Sequence, residues 1–307
     1  MNPDRAARLS LVAAIATMVV WGANFAVTKY VLDQIGVGPF LFIRFLTMPL
    51  LGFALLALVY RRHLAKALPR RADWPRFVAA GLIGHTLHVG IVTWGIDLST
   101  AFSSSLVLTS GPIFTLLILA VLGAERLRPS QVAGTLAAFG GILIFLWDKF
   151  AGGLSRAGIG DLVLLFSSSL FSLYIVIIKP LVERYGPLPL LVWTLAIGAP
   201  PLVLITLPSF LAAPLAQVPA GAWLGMFWAA VVSAFLGWLV WVWVNAVRGV
   251  ARSAPLMYLM PPISGVVAWL MLDEQFSALK LAGAALTMVG VAWAQFGGRS
   301  VSQPDPG

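Results

Sequence analysis

Two halves of this 307-residue chain repeat one pattern at a nearly fixed offset, and this repeat limits the possible folds more than any other feature. At an offset of 150 the matching pairs are Lys29 and Lys179, Gly36 and Gly186, Pro39 and Pro189, Ala101 and Ala251, Ser103 and Ser253, and Pro112 and Pro262. At an offset of 149 they are Glu125 and Glu274, Gly134 and Gly283, and Gly141 and Gly290. Collinear matches along two whole halves indicate an internal repeat rather than shared composition.

Long apolar segments place the chain among multi-pass membrane proteins. Hydrophobic residues make up 60% of the chain, charged residues make up 10%, and the mean hydropathy is +0.95. A helix of about 20 apolar residues crosses a bilayer. On that rule we predict ten spans, at roughly 10–31, 38–60, 75–96, 101–123, 129–147, 158–178, 188–207, 220–246, 253–272 and 277–296. Continuous apolar runs favour helices over a β-barrel, whose strands would show alternating segments.

Each half contains five spans, and because five is odd, the two copies have opposite orientations in the membrane. We therefore predict an all-α integral membrane protein with ten transmembrane helices arranged as two inverted five-helix repeats. The repeats cover residues 1–148 and 158–297, joined by a Gly-containing linker at 149–157 and followed by a disordered tail at 298–307. Inverted repeats are typical of transporters that work by alternating access around a central site.

The basic residues predict topology rather than nucleic-acid binding, although the net charge is +9. With the N-terminus inside, the cytoplasmic segments hold Arg5, Arg8, Arg61, Arg62, Lys66, Arg70, Arg71, Arg76, Arg126, Arg128, Lys179, Arg184, Arg248, Arg252 and Arg299. The other side holds Lys29, Lys149, Arg156 and Lys280, and Arg44 alone lies within a span. This bias predicts cytoplasmic N- and C-termini.

Several motifs resemble those of EamA-type transporters in the drug/metabolite transporter superfamily, over nearly the whole chain. They are Trp21-Gly22-Ala23-Asn24-Phe25 with Lys29, Arg44-Phe45, Gly111-Pro112-Ile113-Phe114, Gly123-Ala124-Glu125-Arg126-Leu127 with Gly134, and in the second half Pro261-Pro262-Ile263, Asp273-Glu274 and Gly283. The second glutamate motif lacks a basic residue after Glu274. Within that superfamily the chain is most similar to bacterial exporters of aromatic amino acids, which implies ten helices and a small-molecule substrate.

Mixed aromatic and polar faces mark candidate substrate-binding residues on the first and sixth spans. Trp21 and Asn24 lie on one face of the first span, and Tyr174, the repeat mate of Asn24, lies on the sixth. Two such faces related by the repeat suit opposite walls of a cavity for an amphipathic molecule. The alternative interpretation is helix–helix packing with polar groups bonded across the interface.

The third span carries His85 and His88, three residues apart and therefore on one face. Three interpretations stay open for this pair: hydrogen bonding to substrate, a proton relay, and structural hydrogen bonding between helices. For Arg44 a structural role is favoured over binding of a substrate carboxylate. Trp238, Trp241 and Tyr258 are further candidates for the cavity wall, whereas Trp243 is expected to face lipid.

Prolines interrupt the fourth and ninth spans at repeat-related positions, Pro112 in one and Pro261 and Pro262 in the other. Because proline frees backbone carbonyls and bends helices, these positions are candidate hinges for gating, with static kinks as the alternative. Glu125 and Glu274 are expected near opposite membrane faces, as structural contacts or as parts of gates.

We expect a transporter, not an enzyme, that exports amphipathic metabolites, with aromatic or other bulky amino acids as the favoured class. Coupling to protons and facilitated movement both remain open. The alternatives are a multidrug or other metabolite carrier, and a membrane-embedded enzyme, although the chain has no HExxH or GxSxG motif. Without cysteines there is no thiolate metal site, and we expect no metal or cofactor. The expected partners are a small-molecule substrate and the lipid bilayer, with the chain as a monomer.

Overall fold

The computed structural model describes residues 3–121, 128–150, 155–248 and 253–296, and these residues fold as helices and short connections without strands. The helices are α1 (Pro3–Ile35), α2 (Val37–Tyr60), α3 (Trp74–Ala80, Gly81–His88 and Val89–Leu98 in succession), α4 (Ala101–Thr109 and Gly111–Val121), α5 (Pro129–Phe150), α6 (Arg156–Tyr185), α7 (Pro187–Ala212), α8 (Ala220–Phe227, Trp228–Leu236 and Gly237–Arg248 in succession), α9 (Ala254–Leu259 and Met260–Leu272) and α10 (Ala278–Phe296). The predicted tail 298–307 and Glu125 lie outside the described residues.

Helix lengths confirm the ten predicted membrane helices. Among the residues that the structure describes, eight helices are long and apolar enough to cross a membrane, and α9 and α10 contribute the shorter apolar segments Leu256–Leu272 and Ala278–Ala294. Several helices extend beyond their predicted spans, as α1 does by running from Pro3 to Ile35 instead of 10–31. The hydropathy pattern marks only the apolar part of a helix, whereas backbone hydrogen bonding continues into its polar ends.

Helix packing follows the inverted repeat. Helix α1 packs against α9, and its counterpart α6 packs against α4. In the same way α3 packs against α6 while α8 packs against α1. Two further pairs join equivalent helices, α2 with α7 and α5 with α10. Exchanging the two halves therefore reproduces the arrangement, as expected for inverted repeats related by a pseudo-two-fold axis.

The turn between the first two helices of each half shows the repeat at the level of single dihedral angles. Gly36 joins α1 to α2 with a φ of 79°, and Gly186 joins α6 to α7 with a φ of 75°. A side chain strains the backbone in this region of φ, so glycine is required at both positions. The 150-residue offset therefore reflects shared local geometry.

Glycines bring the backbones of α5 and α10 into direct contact. A Cβ atom on Gly141 would lie 2.4 Å from the backbone nitrogen of Thr287, and one on Gly290 would lie 2.4 Å from that of Ala138. Small residues permit such close crossings of membrane helices. This contact joins the last helix of one half to the last helix of the other.

Polar contacts distinguish the two ends of the bundle. We call the end with the loops after α2, α6 and α8 the basic end, where Arg184 pairs with Asp73 at 2.6 Å. We call the opposite end, which includes the connection between the halves, the linker end. There Arg156 pairs with Asp97 at 3.0 Å, and the amino group of Lys29 donates to the carbonyl oxygen of Asp97. These contacts clamp α1, α3 and α6 together at the linker end.

Candidate functional site

A cavity of about 450 Å³ lies between the two halves. It is lined by Trp21, Arg44, Phe45, Met48, Gly84, His85, His88, Val89, Phe171, Tyr174, Ile175, Ile178, Val182, Pro187, Leu190, Leu191, Leu195, Ser233, Ala234, Trp238, Trp241, Val242 and Asn245. These residues come from α1, α2, α3, α6, α7 and α8, so both repeats contribute to the wall. Its volume lies within the range of about 300–1,000 Å³ that is common for small-molecule sites.

Six of the eight candidate substrate-binding residues line this cavity: Trp21, His85, His88, Tyr174, Trp238 and Trp241. Asn24 and Tyr258 are not among its lining residues. The Oδ1 atom of Asn24 is buried without a hydrogen-bond partner within the described chain. Tyr258 packs against a cluster of Ile113, Ala138 and Val291. A substrate role for any of the eight stays a prediction.

A wide π-helical segment of α3, Gly81–His88, carries both histidines. Its glycines allow α3 to approach α6 and α7 closely. A Cβ on Gly84 would lie 2.2 Å from Cδ2 of Tyr174, and one on Gly198 would lie 2.3 Å from the carbonyl oxygen of Gly81. Helix α8 has a second π-helical segment, Trp228–Leu236, in the equivalent part of the other half. Such segments widen the helix turn locally and are frequent at functional sites.

A hydrogen bond joins His85 to α7 of the other repeat. Nε2 lies 3.0 Å from Oγ1 of Thr194, and the same hydroxyl lies 2.8 Å from the carbonyl oxygen of Leu190. The hydroxyl has one proton and two neighbouring acceptors, so Nε2 of His85 donates in one tautomer of the ring and accepts in the other.

The hydrogen bond of His88 defines its tautomer. Its Nδ1 lies 2.9 Å from the carbonyl oxygen of Ser167, which can only accept, so Nδ1 carries the proton. The Ser167 hydroxyl lies 3.0 Å from the carbonyl oxygen of His88, which closes a reciprocal pair of contacts between α3 and α6. In the neutral ring Nε2 of His88 is therefore an acceptor. Both histidines hold helices together, and His88 retains an acceptor nitrogen, Nε2, without a partner in the described chain.

Aromatic rings form two walls of the cavity. On one wall Trp21 and Trp241 have ring centroids 5.6 Å apart, and the Trp21 indole N–H donates to the carbonyl oxygen of Ser233 at 2.9 Å. On the other wall Phe171 lies 5.0 Å from the ring of His88, and Tyr174 lies 5.7 Å from that of His85. Since Trp21 and Phe171 are repeat mates, the pseudo-two-fold axis relates the two walls.

Arg44 also lines the cavity, where its Nε atom is buried and has no hydrogen-bond partner within the described chain. Its guanidinium carbon lies 6.0 Å from the centroid of the Phe40 ring. Asn245 is placed similarly, with a buried and unpaired Oδ1. The sequence analysis favoured a structural role for Arg44 and did not place it in the cavity. The signal available for such a placement was its isolation as the one basic residue predicted within a span.

The proline-containing helices α4 and α9 are each divided into two segments at equivalent places. In α4 the two segments are separated at Ser110, which directly precedes Gly111 and Pro112. In α9 the 3₁₀ segment ends at Leu259, and the α-helix begins at Met260, beside Pro261 and Pro262. These breaks occupy the predicted positions, and a hinge motion there stays a prediction.

A larger groove of about 580 Å³ lies at the edge of the bundle, between α4, α9 and α10. Its wall is mainly apolar, and Val266 and Trp269 are 56% and 55% exposed. Its acidic residue Glu274 is already engaged, since it accepts from the backbone nitrogens of Ala101 and Phe102 at 2.5 and 3.3 Å. The central cavity is the better candidate because charged, polar and aromatic groups converge there.

A ten-helix inverted repeat around a polar and aromatic cavity defines a multi-pass membrane transporter. The described residues contain no cluster of three or more His, Cys, Asp or Glu side chains that could hold a metal ion. The chain belongs to the EamA-like transporter family, whose sequence profile matches it twice, over residues 8–147 and 158–295. Two matches of similar length agree with the internal repeat.

Similar proteins include amino-acid exporters. A probable terminal-alkyne amino-acid exporter of Streptantibioticus cattleyicolor is 30% identical over 282 residues, covering 91% of each chain. A probable amino-acid metabolite efflux pump of Escherichia coli is 26% identical over 302 residues, covering 93% of this chain and 94% of the relative. A solved structure described as a crystal structure of a protein superposes with a TM-score of 0.62 at 18% identity, covering 96% and 99% of the two chains. This last likeness concerns the fold alone.

Proposed function

We propose that this transporter exports amino acids with aromatic or other bulky side chains across the bacterial inner membrane. The observation that carries the proposal is the composition of the central cavity. Aromatic rings, two histidines and an arginine whose Nε has no partner in the described chain surround one space of about 450 Å³. An amphipathic amino acid has matching groups: an apolar side chain, an ammonium group and a carboxylate. The amino-acid substrates named for two relatives support the same class.

The position of the cavity supports export from the cytoplasm. Its wall extends to Val182, Pro187 and Asn245, which lie near the basic end. Positive charge is retained on the cytoplasmic side, so we assign the basic end and both termini to the cytoplasm. Towards the linker end the bundle is filled by a buried apolar cluster that includes Val31, Leu164 and Met226. In this conformation substrate would enter from the cytoplasm.

Alternating access then requires relative movement of the two repeats, 1–148 and 158–297, with 149–157 as the linker. Opening the linker end must separate contacts such as Glu274 with the first turn of α4. Closing the basic end must bring α6, α7 and α8 together. Pro112, Pro261 and Pro262 are the candidate hinges, because they lie at the symmetry-related breaks of α4 and α9.

Counterflow in proteoliposomes tests the proposal. Vesicles loaded with unlabelled L-phenylalanine, L-tryptophan, L-leucine, L-alanine or L-glutamate take up external labelled L-phenylalanine. We expect uptake driven by the aromatic and bulky amino acids, with little driven by L-alanine or L-glutamate and none in protein-free vesicles. Counterflow by lipophilic cations alone, without any amino acid, would contradict the proposal.

A further inference from the structure

Arg44 presents a buried cationic group to the cavity without an anionic partner in the described chain. The ion pairs among described residues involve other groups, Lys29 with Asp33, Arg156 with Asp97 and Arg184 with Asp73. A charge removed from water is costly unless it is paired and hydrogen-bonded. The side chain of Arg44 is therefore placed to gain an anion when the cavity is occupied.

The contact of Arg44 with Phe40 positions the guanidinium without neutralising it. At 6.0 Å from the ring centroid, the cation lies at the outer limit of a cation–π interaction. The ring accepts no conventional hydrogen bond, so the N–H donors of the guanidinium remain available. A planar guanidinium with five donors matches a carboxylate, which can accept two parallel hydrogen bonds.

The repeat shows that the fold does not require a cation at this position. The mate of Arg44, at an offset of 150, is Thr194. That threonine is buried and lies within hydrogen-bond distance of the Leu190 carbonyl oxygen and of His85 Nε2. An uncharged residue thus fills the equivalent place in α7 and makes only intramolecular contacts. The charge of Arg44 therefore has no counterpart in the second repeat.

The other polar groups of the cavity complete the match to a zwitterion. The acceptors without a partner in the described chain are Nε2 of His88 and Oδ1 of Asn245. None of these groups carries a negative charge, and Arg44 is the only ionised side chain among the cavity-lining residues when both imidazoles are neutral. A cationic amine would meet a like charge with no compensating carboxylate.

We infer that Arg44 binds the carboxylate of the transported molecule, so that the cavity selects zwitterionic α-amino acids over the corresponding amines. This inference rests on the proposed function and deepens it by assigning the group that recognises the main chain of the substrate. The histidine and asparagine acceptors receive the ammonium group, and the aromatic walls receive the side chain. The aromatic walls then accept different substrate side chains, and Arg44 selects α-amino acids over amines.

Binding of L-phenylalanine and phenethylamine to the purified full-length protein, measured by isothermal titration calorimetry, tests the inference. The two probes differ by one carboxylate. We expect the wild-type protein to bind phenethylamine at least about tenfold more weakly, the scale of one hydrogen-bonded charge contact. Arg44→Gln should weaken L-phenylalanine binding by a similar factor and leave phenethylamine nearly unchanged. Arg62→Gln, in an exposed loop, is the matched control and should behave as wild type.

The possible outcomes separate the inference about Arg44 from the proposed function. Equal wild-type affinities for the two probes, or full retention of L-phenylalanine binding by a folded Arg44→Gln variant, would overturn the inference while leaving amino-acid export intact. Absence of L-phenylalanine binding and counterflow in the wild type would overturn both the inference and the proposed function. Should Arg44→Gln fail to fold, Arg44→Lys keeps the charge but loses the bidentate geometry, and the wild-type comparison alone still distinguishes the outcomes.

Discussion

Nε2 of His85 lies 3.0 Å from Oγ1 of Thr194, which joins α3 of the first repeat to α7 of the second at the wall of the central cavity. His88 makes the equivalent connection to α6 through the carbonyl oxygen of Ser167. Both histidines therefore bridge the two repeats. Whether they also bind substrate or carry protons is a separate question.

Alanine variants of the two histidines distinguish these roles. If His88 or His85 binds the ammonium group, replacing it with alanine weakens transport at every pH and reduces exchange as well as net flux. If one of them relays protons, its replacement removes the pH dependence of net flux between about pH 5 and 8 while exchange at equal pH persists. Both fluxes are measured in proteoliposomes. Wild-type net flux, exchange and pH dependence in the well-folded double variant would return the pair to a structural role.

Two tryptophans of α8 provide a matched test of the cavity wall. Trp241 lines the cavity and contacts Trp21, whereas Trp243, two residues further, is 38% exposed and is not among the lining residues. We expect Trp241→Ala to lower the affinity for L-phenylalanine by about tenfold, since one aromatic contact surface is lost. Trp243→Ala should change it less than twofold. Equal effects of the two variants would argue against binding at this wall.

Gly84 tests the close approach of α3 and α6. A Cβ at this position would lie 2.2 Å from Cδ2 of Tyr174, so Gly84→Ala must displace the ring or the helix. We expect a loss of about 1–3 kcal/mol in stability, together with weaker substrate binding, in thermal unfolding and calorimetry. Gly140→Ala is the control, because a Cβ there would meet nothing within 4 Å. A Gly84→Ala variant as stable as the wild-type protein would show that α3 and α6 are not tightly packed at this position.

Topology follows from the basic residues and has a separate test. We predict cytoplasmic N- and C-termini. A reporter that works only in the cytoplasm should therefore be active when fused after Gly297, and one that works only in the periplasm should be inactive there. The absence of native cysteines permits an independent measurement by maleimide labelling of single cysteines. Arg62→Cys should be labelled from the cytoplasmic side and Gln217→Cys, in the loop after α7, from the periplasmic side. The reverse pattern would invert the assignment.

The repeat predicted ten helices in two inverted halves, and the same repeat-related residues have equivalent local geometry in the structure. The pairs Gly36 and Gly186, and Gly141 and Gly290, occupy equivalent turns and crossings. Hydropathy, in contrast, does not reveal the π-helical segment at Gly81–His88, since an apolar pattern is compatible with either helix type. The tilt of the side chains around that segment could not be predicted for the same reason.

The candidate site was predicted in part. Helical faces identified Trp21, His85, His88 and Tyr174, because a spacing of three or four residues places side chains together on one helix. Asn24 shares the face of Trp21 but lies outside the set of cavity-lining residues, since packing against neighbouring helices decides which part of a face remains open. For Arg44 the family resemblance favoured a structural role near the end of its span, and its position in the cavity wall depends on tertiary contacts that no local pattern contains.

Substrate protection of a cysteine in the cavity tests the central claim most directly, namely that amino acids pass through this cavity. Val242→Cys places a thiol in the wall, and Arg62→Cys places one in an exposed loop. In transport-competent variants, we predict that L-phenylalanine slows labelling of the cavity cysteine by a water-soluble maleimide and leaves the loop cysteine unaffected. Unchanged labelling of Val242→Cys at L-phenylalanine concentrations that saturate transport would contradict the account.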